Sequence, residues 1–385
     1  MNKTSSQKPK SSLYEPALDG LRLVAFISVF IHHLPFFQSS PVLTKFTEYG
    51  WVGVELFFVI SSYLFFRLLD AEYSKKGQIN ATNFYIRRVL RIYPLMICFT
   101  LAAMWYFSAF TPSGFLRLAG IATFTDNIIS WFLGYSSIPT TAHLWTLSFE
   151  FQVYLLIPMA FLAWKRLGNT RFLTLVTFVY LACFSARLLS TYFGAPHPVV
   201  WVTPFLQPEA ILAGIVLATG ALKSIPTVAW PVIFAAAGWK FINTLVPWAN
   251  VHAAALSYPL AAIACVALVE SVRRIAVLRS IFSAKPMVFL GTISFGLYVY
   301  HFLGIYIGQS ILARSAQPLS FTSEIGSYGI LAIVSATVTV GMAALSYYIL
   351  EMPFLRLKDR FATVHGREIE AKAVDTLVQA DSRTA

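Results

Sequence analysis

The sequence predicts an all-α, polytopic membrane bundle of ten transmembrane helices, with one external re-entrant or interfacial segment at 115–134. Three observations predict it. First, 57% of the 385 residues are hydrophobic and 12% are charged, with a mean hydropathy of +0.67. Soluble domains carry about 25% charged residues, and half that charge cannot cover a globule of this size. Second, apolar stretches of about 20 residues, the length that crosses a bilayer, recur along the whole chain. Third, the basic residues between those stretches are distributed as the positive-inside rule requires. A soluble enzyme, a disordered chain and a secreted disulfide scaffold are thereby excluded. The net charge of +12 would suit nucleic acid, but most of a lipid-embedded surface never meets a phosphate backbone. No nucleic-acid partner is expected; the lipid bilayer is.

The elements follow in order. Residues 1–17 form a short basic cytoplasmic tail. No A-x-A cleavage site follows it, so the first apolar stretch is a retained helix and not a signal peptide. Candidate spans are 18–37, 50–69, 89–110, 115–134, 143–164, 171–190, 200–222, 227–246, 251–270, 287–312 and 326–350. With the N-terminus inside, Lys75, Lys76, Arg87 and Arg88 also lie inside. If 115–134 spanned, Lys165, Arg166 and Arg171 would fall outside and every later loop would invert. Keeping 115–134 outside makes the chain consistent, with about 24 of the 29 basic residues at the cytoplasmic face. Only Lys45, Arg117 and Arg314 then lie in external loops, while Arg187 and Lys240 sit within helices. Arg117, Asp126 and Asn127 also make 115–134 the most polar candidate. Both termini are expected in the cytoplasm, with 18–352 as one membrane domain and 353–385 as a polar cytoplasmic tail, frayed or disordered. No fixed-period repeat and no matched pair of broken helices is visible. Cys98, Cys183 and Cys265 have no metal or redox spacing, and are expected to pack as buried thiols.

Ionisable groups inside spans are costly and usually functional. Arg22 and His33 are eleven residues apart, three helical turns plus about 20°, so both project from one face about 16.5 Å apart along the axis. A cation at the cytoplasmic mouth and an imidazole deep on the same stripe suit a long ligand with an anionic head and a reactive tip. Coenzyme A carrying a thioester is such a ligand. A snorkelling arginine and an interfacial histidine would explain the same pair. Glu55, His143, Glu150, Gln152, Glu209 and His301 are further polar groups within spans. His33, Glu55, His143, Glu150 and His301 share the outer half of the bilayer, and are expected to converge on one polar cavity. A structural ion-pair network is the plainer alternative. At the cytoplasmic side FYIRRVLRIYPL places Arg87, Arg88 and Arg91 on adjoining turns. Their planar forks suit phosphate, although positive-inside anchoring accounts for any one of them. With Arg22 and Arg67 they form a candidate clamp for nucleotide phosphates.

These motifs together resemble the membrane acyltransferase 3 family of bacterial inner-membrane O-acyltransferases. LDGLR followed by a helix and histidine resembles the family's R-x10-H motif, carried by Arg22 and His33. GVELFFVISSYLF is similar to G-V-D-L-F-F-V-L-S-G-F-L, with Glu55 for Asp and Ser62 for Gly. RRVLRIYP matches the Arg-rich opening of the third helix. HLWTLSFEFQVYL resembles H-L-W-S-L-S-x-E-E-Q-F-Y, keeping His143, Trp145, Glu150, Gln152 and Tyr154 but placing Phe151 at the second Glu. ISFGLYVYH near His301 and YYILEMP near Glu351 complete the set.

The resemblance implies a ten-helix inner-membrane enzyme that moves an acyl group, commonly acetyl, from cytoplasmic acyl-CoA to a hydroxyl. The acceptor would be a surface polysaccharide, a lipid-linked glycan or another small molecule. Many relatives carry an extracytoplasmic SGNH domain; this chain is expected to lack one. In this scheme Arg22, Arg67, Arg87, Arg88 and Arg91 hold the CoA phosphates. His33, with a reference pKa near 6.5, is the general base, and Glu150 orients it. His32, Glu55, His143, Trp145, Gln152 and His301 lie on the substrate side. An acyl-histidine intermediate is the alternative to direct transfer. No metal is expected. Acyl length, acceptor identity and oligomeric state are not encoded legibly. Two rival readings use the same polar groups: a secondary transporter or polysaccharide exporter relaying protons through His and Glu, and a lipid-linked-sugar glycosyltransferase, for which Glu48 is the acidic candidate.

Overall fold

In a computed structural model, residues 14–35, 41–133, 137–314 and 324–362 are described, and among them all regular structure is helical. In chain order the helices are α1 (Pro16–His33), α2 (Pro41–Tyr49), α3 (Val52–Lys76), α4 (Ala81–Tyr106), α5 (Pro112–Ala122), α6 (Asp126–Leu133), α7 (Trp145–Tyr192), α8 (His197–Val202) and α9 (Glu209–Thr219). They continue with α10 (Ala229–Ile242), α11 (Val251–Arg274), α12 (Ala276–Phe282), α13 (Lys285–Thr292), α14 (Ser294–Arg314), α15 (Glu324–Ser346) and α16 (Met352–Asp359). A turn of 3₁₀ helix over Ala142–Leu144 opens α7, and a π-helical turn over Tyr347–Glu351 joins α15 to α16.

Among the described residues six helical stretches are long and apolar enough to cross a membrane: Val52–Lys76, Ala81–Tyr106, Ala142–Tyr192, Val251–Arg274, Ser294–Arg314 and Gly326–Asp359. The stretch that contains α7 is two helices in one run. Gly168 interrupts α7 with φ 74° and ψ 171°, a backbone that residues with a Cβ rarely adopt. The break falls in the basic loop that separates the expected spans 143–164 and 171–190. Two other expected spans are shorter helices. Pro204 and Pro208 precede the 11-residue α9, which Gly220 ends in a left-handed cap, and α10 has 14 residues. The expected span 287–312 is divided at Ile293 into α13 and α14. Within 353–385 the chain is helical to Asp359; the rest of the expected tail, 363–385, and residues 1–13 lie outside the described residues. Cys265 is buried, but Cys98 is exposed, so that thiol does not pack as expected.

The stretch 115–134 is not one helix. α5 and α6 are 11 and 8 residues long, about 16 and 12 Å at 1.5 Å per residue. They meet at a sharp turn where Phe124 takes φ 56°. Arg117 and Asp126, both fully buried, close the turn with Nε–Oδ1 at 3.2 Å, and Arg117 Nη2 also donates to the Thr141 carbonyl at 2.9 Å. The hairpin docks on α7 through Phe124 stacked on Phe151, with ring centroids 3.8 Å apart. Asn127 and Gln152 exchange amide hydrogen bonds across the same contact.

α1 packs between two apolar clusters. Leu18, Leu21, Ala25 and Val29 join the large apolar cluster that includes α3, whereas Leu23, Phe26, Phe30 and Leu34 join a second cluster with Ile293, Leu297 and Ala343. Both neighbours approach its backbone closely. A Cβ on Gly53 would lie 2.2 Å from the Ala25 carbonyl oxygen, and one on Gly291 would lie 1.8 Å from that of Asp19. Small residues permit such contacts where helices pack in lipid.

One end of the bundle collects paired charges: Glu15 with Arg273, Asp70 with Lys165, and Glu72 with Arg87, whose Nη1 also donates to the Phe361 carbonyl. The start of α1, the end of α3, the Gly168 break and the residues after α16 therefore lie together.

Candidate active site

Two adjoining cavities run beside α1. The lower one, of about 130 Å³, is lined by Arg22, Arg88, Arg91 and Glu150 together with Ser61 and apolar residues such as Phe57, Phe58 and Phe65. The upper one, of about 100 Å³, is lined by His32, His33, His143 and four tryptophans, Trp51, Trp145, Trp201 and Trp248. Val54, Thr146 and Tyr298 line both. The eleven-residue spacing of Arg22 and His33 on one helix thus places one in each cavity.

In the lower cavity the arginines are held differently. Arg22 Nη1 pairs with Asp19 Oδ1 at 3.0 Å, one turn back on α1. Arg91 Nη1 pairs with Glu351 Oε2 at 3.1 Å, and its Nη2 donates to the Thr292 carbonyl at 3.3 Å. The Arg88 guanidinium lies 4.2 Å over the Phe65 ring, and its Nε is buried with no hydrogen-bond acceptor among the described residues. A buried, unsatisfied cationic donor facing a cavity suits an anionic ligand. Glu150 lies on the same cavity and accepts a hydrogen bond from Tyr154.

In the upper cavity the histidines have assignable tautomers, because a carbonyl accepts only from N–H. His301 Nδ1 donates to the Tyr298 carbonyl at 2.5 Å, so its Nε2 is an acceptor. His33 Nδ1 lies 3.0 Å from the Val29 carbonyl and 3.1 Å from that His301 Nε2, so it carries the proton. The Nε2 lone pair of His33 is therefore free to take a proton. His143 Nε2 donates to the Val299 carbonyl at 3.1 Å, leaving Nδ1 buried without a partner among the described residues. His32 Nδ1 donates to the Thr47 carbonyl at 2.5 Å. Among the described residues no group of His, Cys, Asp and Glu could hold a metal ion.

The structure divides what the sequence gathers. The five outer-half groups do not converge on one cavity: His33, His143 and His301 assemble, Glu150 joins the arginines, and Glu55 lies elsewhere. Glu55 is buried near Glu209 and Arg187, which pair at 2.6 Å with both side chains nearly inaccessible. It is 1% exposed and its Oε2 has no partner among the described residues. Glu150 is not the orienting partner of His33; His301 and the Val29 carbonyl take that place. Gln152 is engaged with Asn127 and the Phe124 carbonyl in docking the α5–α6 hairpin. Arg87 is turned to Glu72 and the Phe361 carbonyl, and neither it nor Arg67 lines either cavity. Thr146 and Tyr298 went unrecognised in the sequence. A signal existed: Thr146 is three residues after His143 and Tyr298 three before His301, so each shares a helical face with a predicted site histidine.

A family model described as an acyltransferase domain, that of acyltransferase 3, matches residues 15–344, from α1 through nearly all of α15. The chain belongs to the acyltransferase 3 family. With six long apolar helical stretches among its described residues, this acyltransferase 3 chain is a membrane protein. It is similar to the peptidoglycan O-acetyltransferase OatA of Listeria monocytogenes, with 25% identity over 377 residues, covering 89% of this chain and 56% of the relative. It is also similar to the O-acetyltransferase OatA of Staphylococcus aureus strain NCTC 8325, with 25% identity over 373 residues, covering 90% and 58%. A third relative, provisionally named O-acetyltransferase SAS0844 in Staphylococcus aureus strain MSSA476, is 27% identical over 384 residues, covering 92% and 59%. The chain thus spans less than two thirds of the length of these curated relatives. No solved structure matches it.

Proposed function

We propose that this acyltransferase 3 chain is an O-acyltransferase of the bacterial inner membrane. It moves an acyl group, acetyl by preference, from cytoplasmic acyl-CoA to a hydroxyl of a surface polysaccharide or lipid-linked glycan. The observation that carries the reading is the pair of cavities along α1, arginine-lined below, histidine-lined above, and sharing Val54, Thr146 and Tyr298 as a common wall. The O-acetyltransferase names of the relatives support the reaction class. In this reading the ten spans are α1, α3, α4, the two halves of α7, residues 200–222 around α9, residues 227–246 around α10, α11, α14 and α15, with α5–α6 docked externally. Both termini then face the cytoplasm, 18–352 is the membrane domain, and the charged end of the bundle is the cytoplasmic one.

In this scheme CoA is a co-substrate, its phosphates met by Arg22, Arg88 and Arg91 at the cytoplasmic side. Its thioester reaches the common wall. The acceptor hydroxyl approaches from the upper cavity, where tryptophans suit the apolar face of a sugar ring. His33 Nε2 takes the hydroxyl proton as the oxygen attacks the carbonyl carbon. Collapse of the tetrahedral intermediate breaks the C–S bond, and the same imidazole returns the proton to the CoA thiolate. No net proton is gained or lost. His301 keeps the His33 proton on Nδ1 and the base on Nε2, the orienting task of a triad's third member.

The test is thiol release from acetyl-CoA by the purified protein in nanodiscs, with and without soluble peptidoglycan fragments as acceptor. Release that the fragments stimulate, with acetyl ester appearing on the glycan, is expected. Protein that is folded yet inert toward acetyl-CoA, palmitoyl-CoA and succinyl-CoA would overturn the reading in favour of transport.

A further inference from the structure

We propose that Tyr298 is a catalytic residue whose hydroxyl donates to the thioester carbonyl oxygen as negative charge develops on it; the proposal rests on the acyl-transfer reading above. Three observations place it there. Tyr298 is one of three residues lining both cavities, and the only hydroxyl groups in that shared set are its own and that of Thr146. A thioester delivered from the arginine side to a base on the histidine side must pass this wall. The phenol is also fixed in place. Its ring packs edge-on to His143 with centroids 5.2 Å apart, lies 5.4 Å from His301, and meets Phe57 edge-on at 6.2 Å. Its backbone carbonyl accepts from His301 Nδ1, the same histidine that orients His33.

The hydroxyl's present bond is one it can exchange. Thr146 Oγ1 donates to the His143 carbonyl at 2.9 Å, so in the 2.7 Å contact between the two hydroxyls Tyr298 is the donor and Thr146 the acceptor. A second acceptor, the His143 carbonyl, lies 3.3 Å from the Tyr298 hydroxyl. When the carbonyl carbon is attacked, its π pair moves to oxygen, and that oxygen is a stronger acceptor than a neutral hydroxyl. The phenol turns its O–H to the thioester oxygen when the donor binds, holds that bond as it strengthens on attack, and recovers its bond to Thr146 when the acyl product leaves. No proton is transferred from Tyr298, so the balance of the reaction is unchanged. A preorganised donor of this kind, removed singly, costs about 10²–10³ in kcat.

The experiment is steady-state thiol release from acetyl-CoA by full-length Tyr298→Phe in nanodiscs, beside wild type. The ring and its packing are kept while the donor is lost. The expected result is a kcat lower by about 100- to 1,000-fold with a KM for acetyl-CoA within about threefold. A kcat within about threefold of wild type, or a loss confined to KM, would overturn the proposal. Inert wild type would instead overturn the acyl-transfer reading, so the two failures are distinguishable. A second measurement does not depend on the Phe variant folding: the infrared carbonyl band of [1-¹³C]acetyl-CoA bound to His33→Ala. A shift to lower wavenumber than in solution is expected, and an unshifted band would contradict a hydrogen bond at that oxygen.

Discussion

Replacing Arg117 by Met tests whether residues 115–134 are a docked hairpin that supports the site. Arg117 and Asp126 are both fully inaccessible, and the guanidinium meets the carboxylate at 3.2 and 3.4 Å while donating to the Thr141 carbonyl at 2.9 Å. The substitution keeps most of the volume and leaves Asp126 buried without its counter-charge. Breaking a buried pair from one side costs about 3–5 kcal/mol, whereas replacing both partners with apolar groups is far less costly. Arg117→Met alone should therefore lose about 3–5 kcal/mol, and adding Asp126→Leu should recover at least about 2 kcal/mol. The assay is unfolding by SDS in mixed micelles, followed by the fluorescence of the nine tryptophans. Because Thr141 leads into the turn that presents His143, the single variant should also lose turnover, in part restored in the double. A single variant within about 1 kcal/mol of wild type, or costs that simply add, would refute the argument.

Other outcomes follow from the same geometry. His33→Ala should lower acetyl transfer by about 10²–10⁴-fold, the usual contribution of a general base, with unchanged membrane insertion by protease accessibility; substantial residual transfer would remove His33 from that role. Arg88→Ala should raise the KM for acetyl-CoA about tenfold or more, as loss of a charge-assisted contact implies, and an unchanged KM would take it out of the donor site. Gly53→Leu should prevent α1 and α3 from meeting, since even a Cβ would fall 2.2 Å from the Ala25 carbonyl oxygen. Size-exclusion profiles of a fluorescent fusion should show aggregation, and a wild-type profile would contradict that close contact.

Much of this architecture was legible because lipid makes sequence patterns strict. The Lys165–Arg171 loop marked the Gly168 break, and Arg117, Asp126 and Asn127 set 115–134 apart from the other apolar stretches, where the chain folds as the two short helices α5 and α6. Arg22 and His33 were legible as a pair because one helix carries both and its period fixes their relative direction. What escaped depends on contacts between distant segments. His33 meets His301 across 268 positions, and no local period reports that. Depth alone cannot report direction either, so Glu55 and Glu150 were grouped with the histidines although one lies near Arg187 and the other beside Arg88. Gln152 sits in the motif that resembles the family's, but its amide is taken up by Asn127 and the Phe124 carbonyl, which no local pattern reports. Tyr298 is hard to read because an aromatic residue in an apolar span is ordinarily packing; it shares a helical face with His301, and the junction of two cavities is what sets it apart.

The most direct test of the central claim, that one reaction path joins the arginine-lined and histidine-lined cavities, is single-turnover transfer from [1-¹⁴C]acetyl-CoA to soluble peptidoglycan fragments by protein in nanodiscs, comparing wild type with His33→Ala. The account predicts labelled glycan and one free CoA thiol per acetyl moved in wild type, and both formed about 10²–10⁴-fold more slowly in the variant despite retained binding of the donor. Labelled glycan from both proteins at equal rates would contradict it.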